Sequence, residues 1–461
     1  MKLSDVLHTS LDCGGKGRCG KCKVYVCGQL SPLTHVEKNL LTQEEIAAGC
    51  RLACQAEILG AYTVTAAPKD DLVVQTAFTG DALLSGASGQ SSGAIGAAVD
   101  IGTTTLAAYW YDLSSGQLIQ QKSAANPQRI FGADVISRIE RAMAGDLPQL
   151  SASLRKGIRS LLPPRFDRLV LTGNTTMLYT LCGYNPKSLA HSPFIADQTF
   201  GFEKDAVVLP PCLSAYVGAD LATAALAAGL WKNGKPAVTK PTLLLDAGTN
   251  GEMLLAAGGH LFGCSTAAGP AFEGSQISCG LPSVPGAISQ VAADFSYETI
   301  GAVPAKGYCG SGILDMTARL LDAQALDETG FLKEWPEQAS ALPQLTQKDI
   351  REIQLAKSAI AAGCEALMHA AGVSELDTIY LAGGFGSHLS PESARRIGLI
   401  PASKKTTALG NAAGFGAAML LLDPALLDDL LSMQSRFELV KLASDPVFTD
   451  AFMRHMYFPQ Q

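Results

Sequence analysis

Charged residues are scarce in this 461-residue chain, at 17%, and aromatic ones scarcer, at 7%, while hydrophobic residues make up 47%. That balance excludes an extended disordered protein, and the surplus of glycine and alanine over aromatics predicts close backbone packing and many turns. No basic stripe interrupts a net charge of −7. This excludes nucleic acid and an anionic membrane as partners, while leaving a basic protein surface as a dock. No run of about 18 uncharged apolar residues is available to span a membrane; the best candidate, Ala417–Leu422, stops at Asp423. An export signal is missing too, since Asp5 falls where one would be apolar. A soluble cytoplasmic protein of roughly three domains is expected. Twelve cysteines in such a chain predict metal ligands and buried thiols, not disulfides. Two phosphate signatures are also absent. There is no Gly-x-x-x-x-Gly-Lys-Ser/Thr, and no Gly-x-Gly-x-x-Gly between a strand and a helix, so P-loop and Rossmann chemistry are excluded.

What is present begins at residue 13. Cys13, Cys19 and Cys22 share a loop with Gly14, Gly15, Gly17 and Gly20, and Cys54 follows some thirty residues later. Iron with sulfide needs soft anionic thiolates, and four of them complete two tetrahedra. The glycines let the backbone curl around a cluster and bring amide N–H groups to the sulfurs. Five residues separate the first two cysteines, one more than in the plant-type spacing. Cys50 competes for the fourth position; Cys54 is chosen because an alternating strand-like stretch follows it, leaving Cys27 and Cys50 as bystanders. A zinc site is the alternative, since Cys19-x-x-Cys22 alone would fit one, but a three-plus-one layout favours a 2Fe–2S cluster. Only Leu3–Ser10, read as a helix, precedes the loop, where a ferredoxin usually has a hairpin.

Residues 1–67 are expected to form this small domain, and the Gly/Ser-rich stretch closing 68–96 a flexible linker. An internal echo comes next. Ala97-Ala-Val-Asp100-Ile-Gly102-Thr103-Thr104-Thr105 precedes an apolar strand, and Leu243-Leu-Leu-Asp246-Ala-Gly248-Thr249-Asn250-Gly251 precedes another. Each is a strand ending in Asp, a Gly-Thr turn and a returning strand, which predicts two similar lobes over 97–461 that meet near residue 240. Such turns present N–H groups and hydroxyls to phosphate oxygens. The two aspartates can reach Mg2+ through water. A long helix is predicted over Thr346–Ala371, capped by Thr346 and Asp349. The strand after it runs into Gly383-Gly384, a turn on which a flat adenosine can rest.

The paired hairpins and the Gly-Gly turn resemble the actin, heat-shock chaperone and sugar kinase superfamily. More narrowly, residues 97–420 resemble the ferredoxin-linked reductive activators of corrinoid proteins. The matching segments include Asn126–Ile139, Thr172-Gly-Asn-Thr-Thr-Met177, Val217-Gly-Ala-Asp220, Cys264–Gly280, Cys309-Gly-Ser-Gly312 and Leu381–Phe385. The resemblance leaves no room between the small domain and Asp100 for a middle domain that some members carry. It implies an α/β protein: a small β-grasp-like 2Fe–2S ferredoxin domain, N-terminally trimmed, followed by a two-lobed actin-like or sugar-kinase-like ATPase domain. The implied activity is ATP-dependent reduction of a Co(II) corrinoid protein to Co(I) for a methyltransferase system of anaerobic metabolism. An external electron donor and a homodimer come with it.

On this reading Cys13, Cys19, Cys22 and Cys54 hold the cluster, and Asp100 and Asp246 organise Mg2+. Gly102, Thr103, Thr104, Thr105, Gly248, Thr249 and Asn250 surround the phosphates of ATP, and Gly383 and Gly384 floor the adenosine. Asn174 either positions the attacking water or caps a turn. Asp220 and Glu273 either line the cleft or cap. Cys264, Cys279 and Cys309 are read as buried thiols, although activators of 2-hydroxyacyl-CoA dehydratases bridge a 4Fe–4S cluster with such residues. His191 and His388 are read as non-ligands. The competing functions are an activator of another low-potential enzyme, a non-redox small-molecule kinase, and a chaperone-like ATP switch. The kinase lacks an identifiable sugar-pocket base, and the chaperone leaves the four cysteines without a purpose.

Overall fold

Two six-stranded sheets built on one plan carry most of the chain, with a small three-stranded sheet ahead of them, in a computed structural model. The described residues are 1–461 except 8, 10, 12, 67–92, 133, 387 and 461. The stretch expected as a linker therefore lies outside the described residues as far as 92.

The small sheet consists of β1 (Lys23–Leu30), β2 (Cys50–Leu52) and β3 (Ile58–Ala66), antiparallel and in the order β2-β1-β3. Leu3, Val24, Val26 and Leu52 are fully or almost fully buried beneath it. The preceding helix is Leu3–Leu7, shorter than the Leu3–Ser10 expected. Glu37 is completely buried and grips Arg51 through two hydrogen bonds of 2.8 and 3.0 Å, while also accepting the Leu52 amide at 3.0 Å. A paired buried carboxylate of this kind fixes β2, and hence the turn that delivers Cys54.

The first large sheet contains β4 (Ile95–Ile101), β5 (Thr105–Asp112), β6 (Leu118–Ala125), β7 (Arg168–Gly173), β8 (Phe202–Lys204) and β9 (Val207–Leu209). Its order is β6-β5-β4-β7-β9-β8. The second contains β10 (Thr242–Ala247), β11 (Gly251–Ala257), β12 (His260–Thr266), β13 (Leu376–Ala382), β14 (Ser403–Gly410) and β15 (Phe437–Leu439), in the order β14-β13-β10-β11-β12-β15. Both sheets open with an antiparallel meander and continue with strands parallel to the first. The echo in the sequence is thus an echo in topology. Leu243, Leu244 and Leu245 are all fully buried, the continuous apolar run of a strand covered on both faces.

Five helices place the site: α1 (Val135–Arg141), α2 (Thr175–Cys182), α3 (Ala219–Ala227), α4 (Gln347–Ala370) and α5 (Ala412–Leu422). Helices α3 and α5 pack on one another, in a core that contains Ala98, Ala107 and Val170 of the first sheet and Leu244, Leu254 and Ala256 of the second. Helix α5 is apolar all round because it is enclosed on all sides. Its Gly416 is where the helices touch: a Cβ there would run into the Thr223 carbonyl. Helix α4 carries the expected cap, with Thr346 and Asp349 bonded reciprocally. Among the described residues no helix is long and apolar enough to cross a membrane.

Candidate functional site

The two Asp–Gly–Thr turns face each other across the cleft between the large sheets. Asp100 is the penultimate residue of β4, and Asp246 is the penultimate residue of β10. Glu273, on the 3-10 turn Ala271–Glu273, joins the jaws: it accepts Thr249 Oγ1 at 2.6 Å and Thr104 Oγ1 at 3.3 Å. Gly102 and Thr103 are held from behind. Asn126 Nδ2 donates to the Gly102 carbonyl at 2.8 Å, and the buried Arg138 donates to the Thr103 carbonyl at 2.6 Å. Thr105 opens the returning strand with its carbonyl folded over Gly102. On the other jaw Gly248 donates to the Asn250 carbonyl at 3.0 Å, closing that turn.

Asn174 caps α2: its Oδ1 accepts the Met177 amide at 3.0 Å, and its Nδ2 donates to Thr103 Oγ1 at 3.1 Å. Both ends of the amide are engaged, so this residue aims Thr103. Gly383, at φ +83°, leaves the strand β13 against Asp246, where any side chain would collide with the carboxylate. Gly384 has open space around it. Phe385 in the same turn stacks on Phe272, ring centroids 5.0 Å apart and planes within 3°.

Three residues of the cleft had weak signals or none in the sequence. Asn411, the cap of α5, donates to Asp100 Oδ2 at 2.9 Å. Asp220 lies in the first turn of α3, and Glu252, nearly buried, is the cross-strand partner of Asp246. Asn411 was signalled only as an Asn ahead of an Ala-rich helix, and Glu252 only as the start of a returning strand.

Four carboxyls therefore lie close together in the cleft, and their ionisation reflects it. Burial, opposed by the Asn411 amide and reinforced by Asp246, pushes Asp100 up to about 7. Burial pushes Asp246 up to about 6. Burial with the charges of Asp246 and Asp100 pushes Asp220 up to about 8, and burial with the charges of Asp220 and Asp246 raises Glu252. The folded protein thus holds protons that the unfolded chain has released, from an ordinary value of 3.8 up to about 8. Stability without metal or nucleotide is expected to fall as pH rises through that window. Melting curves in chelator should show the midpoint dropping, with Mg2+ and a non-hydrolysable ATP analogue restoring most at the alkaline end. A midpoint that rises with pH would contradict this electrostatic account.

The four cysteines on and near the glycine loop come together as two pairs. Cys19 hydrogen-bonds Cys13, which lowers the Cys13 thiol to about 5. Cys22 bonds Cys54, which lowers Cys54 to about 6 and raises Cys22. Gly14, Gly15, Gly17 and Gly20 all have positive φ, between 61° and 76°, which is what wraps the loop. The Arg18 amide and the Gln55 side-chain amide each lie 3.4 Å from a sulfur, of Cys13 and Cys54 respectively. Cys27 is exposed, and Cys50 lies among Glu45, Lys23 and Glu37 instead. Among the described residues no three His, Cys, Asp or Glu side chains converge on a single point. Cys264 and Cys309 are buried and Cys279 is half-buried, each facing a separate carbonyl, of Gly363, Ile288 and Gln344 respectively. His191 bonds the Lys187 carbonyl and His388 is exposed.

Residues 240–461 match the family described as the C-terminal domain of RACo, the ASKHA domain, and residues 95–233 match the RACo middle region. The corrinoid activation enzyme RamQ of Eubacterium limosum is 32% identical over 431 residues, covering 79% of this chain and 70% of that protein. The chain belongs to the corrinoid activator family. A second relative, the [Co(II) methylated amine-specific corrinoid protein] reductase of Methanosarcina barkeri, is 27% identical over 69% of this chain and 62% of its own length. The solved structure of a reductive activator for a corrinoid, iron–sulfur protein superposes with a TM-score of 0.69 at 25% identity, covering 100% of this chain and 96% of that one. In this activator the C-terminal domain has the ASKHA fold. The segment matched as the RACo middle region, 95–233, is the part of the chain that carries the first large sheet and its jaw.

Proposed function

We propose that this protein restores a corrinoid protein to service by ATP-dependent reduction of Co(II) to Co(I). The observation that carries the reading is the joining of two features in one chain: two thiol pairs at a glycine loop, one thiol of them supplied by the turn after β2, and two Gly-Thr turns bridged by Glu273. Two thiolates for each of two irons is the donor set of a 2Fe–2S cluster, whereas zinc needs four ligands around one point. Cys13 with Cys19, and Cys22 with Cys54, would hold the cluster, with the Arg18 and Gln55 amides stabilising sulfur charge. When bound, the cluster supplies one electron at a time, replenished by an external donor.

ATP is needed because plant-type clusters sit near −400 mV, above what a Co(II)/Co(I) couple requires. Each ~59 mV uphill costs one electron about 1.4 kcal/mol. On the cleft side, Thr103, Thr104, Thr249 and Asn250 would contact the phosphates, with Asn174 and Arg138 aiming the first turn. Asp100 and Asp246 would reach Mg2+ through water, and Gly383–Gly384 would take the adenosine. Asp220, whose carboxylate accepts the Leu221 amide at the head of α3 and faces Asp100 and Asp246, would orient the attacking water and accept its proton.

The test is anaerobic. Reduced protein is mixed with a Co(II) corrinoid protein, with and without Mg-ATP, and Co(I) is followed by absorbance. Co(I) should form only with ATP, and ATP turnover should rise when the corrinoid protein is added. ATP turnover indifferent to the corrinoid protein would overturn the reading.

A further inference from the structure

The cysteine loop lies against both jaws of the cleft. On the first jaw the Leu11 amide donates to the Arg129 carbonyl at 3.3 Å, and Lys16 pairs with Glu140 at 3.3 Å. Gly14 packs beside Ser137. On the second jaw Lys21, one residue before Cys22, sends its ammonium to three backbone carbonyls: Gly280 at 2.8 Å, Gly274 at 3.2 Å and Ile277 at 3.4 Å. An ammonium has three donors, and this cup offers three acceptors.

The cup is built in advance. A Cβ on Gly274 would strike the backbone of Leu281, and one on Gly280 would strike the Gly274 carbonyl. Ser278 between them is tied by its amide to Asp349, which with Thr346 forms the capping box of α4, at 2.7 Å. These anchors also adjoin the nucleotide turns. Ser137 precedes Arg138, which holds the Thr103 carbonyl. Gly274 follows Glu273, which holds Thr104 and Thr249, and Phe272 stacks on Phe385 of the adenosine turn.

We propose that Lys21 is a positioning residue through which the cysteine loop reads the separation of the two jaws, so that nucleotide binding and docking of the electron carrier strengthen each other. The inference rests on the functional reading above, which puts a nucleotide in the cleft. A loop held on one side by Leu11 and Lys16 and on the other by Lys21 seats fully only at one jaw separation. Glu273 bridges the jaws at that same separation. Coupling between two binding events is reciprocal, so a change that undocks the loop weakens nucleotide binding by up to the factor by which nucleotide favours the docked loop.

The experiment uses the full-length, cluster-loaded protein. Lys21→Ala is expected to weaken binding of a non-hydrolysable ATP analogue by about fivefold, the lower end of usual coupling, with the iron–sulfur spectrum unchanged. Hydrogen exchange should show the analogue protecting residues 16–22 in the parent and not in the variant, and Lys21→Arg should recover part of both effects. Lys21→Met, which keeps the aliphatic stem, is a second arm should alanine unsettle the loop, and the same loss is expected of it. Unchanged affinity and unchanged protection in the variants, with the parent binding normally, would overturn the coupling alone. A parent protein that binds no nucleotide would overturn the functional reading and the coupling together.

Discussion

Anaerobically reconstituted Cys54→Ser protein is expected to lack the iron–sulfur absorption bands and the EPR signal of a reduced 2Fe–2S centre. Changes outside the first ligand shell already cost about 10- to 100-fold, so losing a ligand should lower Co(II) reduction by at least about 100-fold. The geometry gives the reason. Cys54 is the partner of Cys22, and it arrives from a different element, the turn after β2, which the buried Glu37–Arg51 pair fixes in place. Serine would keep the shape of that turn while removing the soft anionic donor. Cys27→Ser and Cys50→Ser provide the contrast, since one thiol is exposed and the other lies among Glu45, Lys23 and Glu37. Both should retain the cluster. A full iron–sulfur spectrum in Cys54→Ser, or its loss in Cys50→Ser, would reassign the fourth ligand.

Much of this architecture was legible because it is written locally. An apolar strand, an Asp, a Gly-Thr turn and a second strand occupy about fifteen consecutive residues, so both jaws could be read before any tertiary contact was known. The cap of α4 is similar: Thr346 and Asp349 are three residues apart and satisfy each other's backbone. Three of the four cysteines share one loop whose glycines signal its curvature.

What was not legible depends on residues that meet only after folding. Glu273 joins Thr104 from 169 positions away, and Asn411 reaches Asp100 across 311. Neither has a spacing that a sequence pattern could flag. Asp220 and Glu273 stand out in the sequence only as residues that line the cleft or cap, a choice the fold alone decides, and Glu252 looks ordinary near the start of its strand. Only the burial of Asp220 and Glu252 close to Asp100 and Asp246 raises all four carboxyls. Asn174 shows the opposite case: its turn was conspicuous, but the cap it forms engages both ends of its amide. Lys21 is one lysine among the chain's cations until the 274–280 cup is in view.

Asp220→Asn is expected to lower the rate of ATP hydrolysis by about 100- to 10,000-fold, the range associated with loss of a positioned general base. Nucleotide affinity should hold or improve, because the substitution removes one of four like charges from the place where a triphosphate must sit. That separates the residue's role from binding: a rate loss at constant affinity marks an interaction made only in the transition state. The same charge argument sets the sign of a second measurement. Asp220 is pushed up to about 8 by burial and by Asp246 and Asp100, so ionising it costs the empty protein stability near neutral pH. The asparagine variant cannot ionise, and its neighbours lose a repelling charge. Metal-free Asp220→Asn should therefore melt higher than the parent at pH near 8, with the difference vanishing as acid protonates the parent carboxylate. A variant that hydrolyses ATP at the parent rate would remove Asp220 from the chemistry, and one that melts lower across the whole pH range would show that the carboxylate stabilises the cleft.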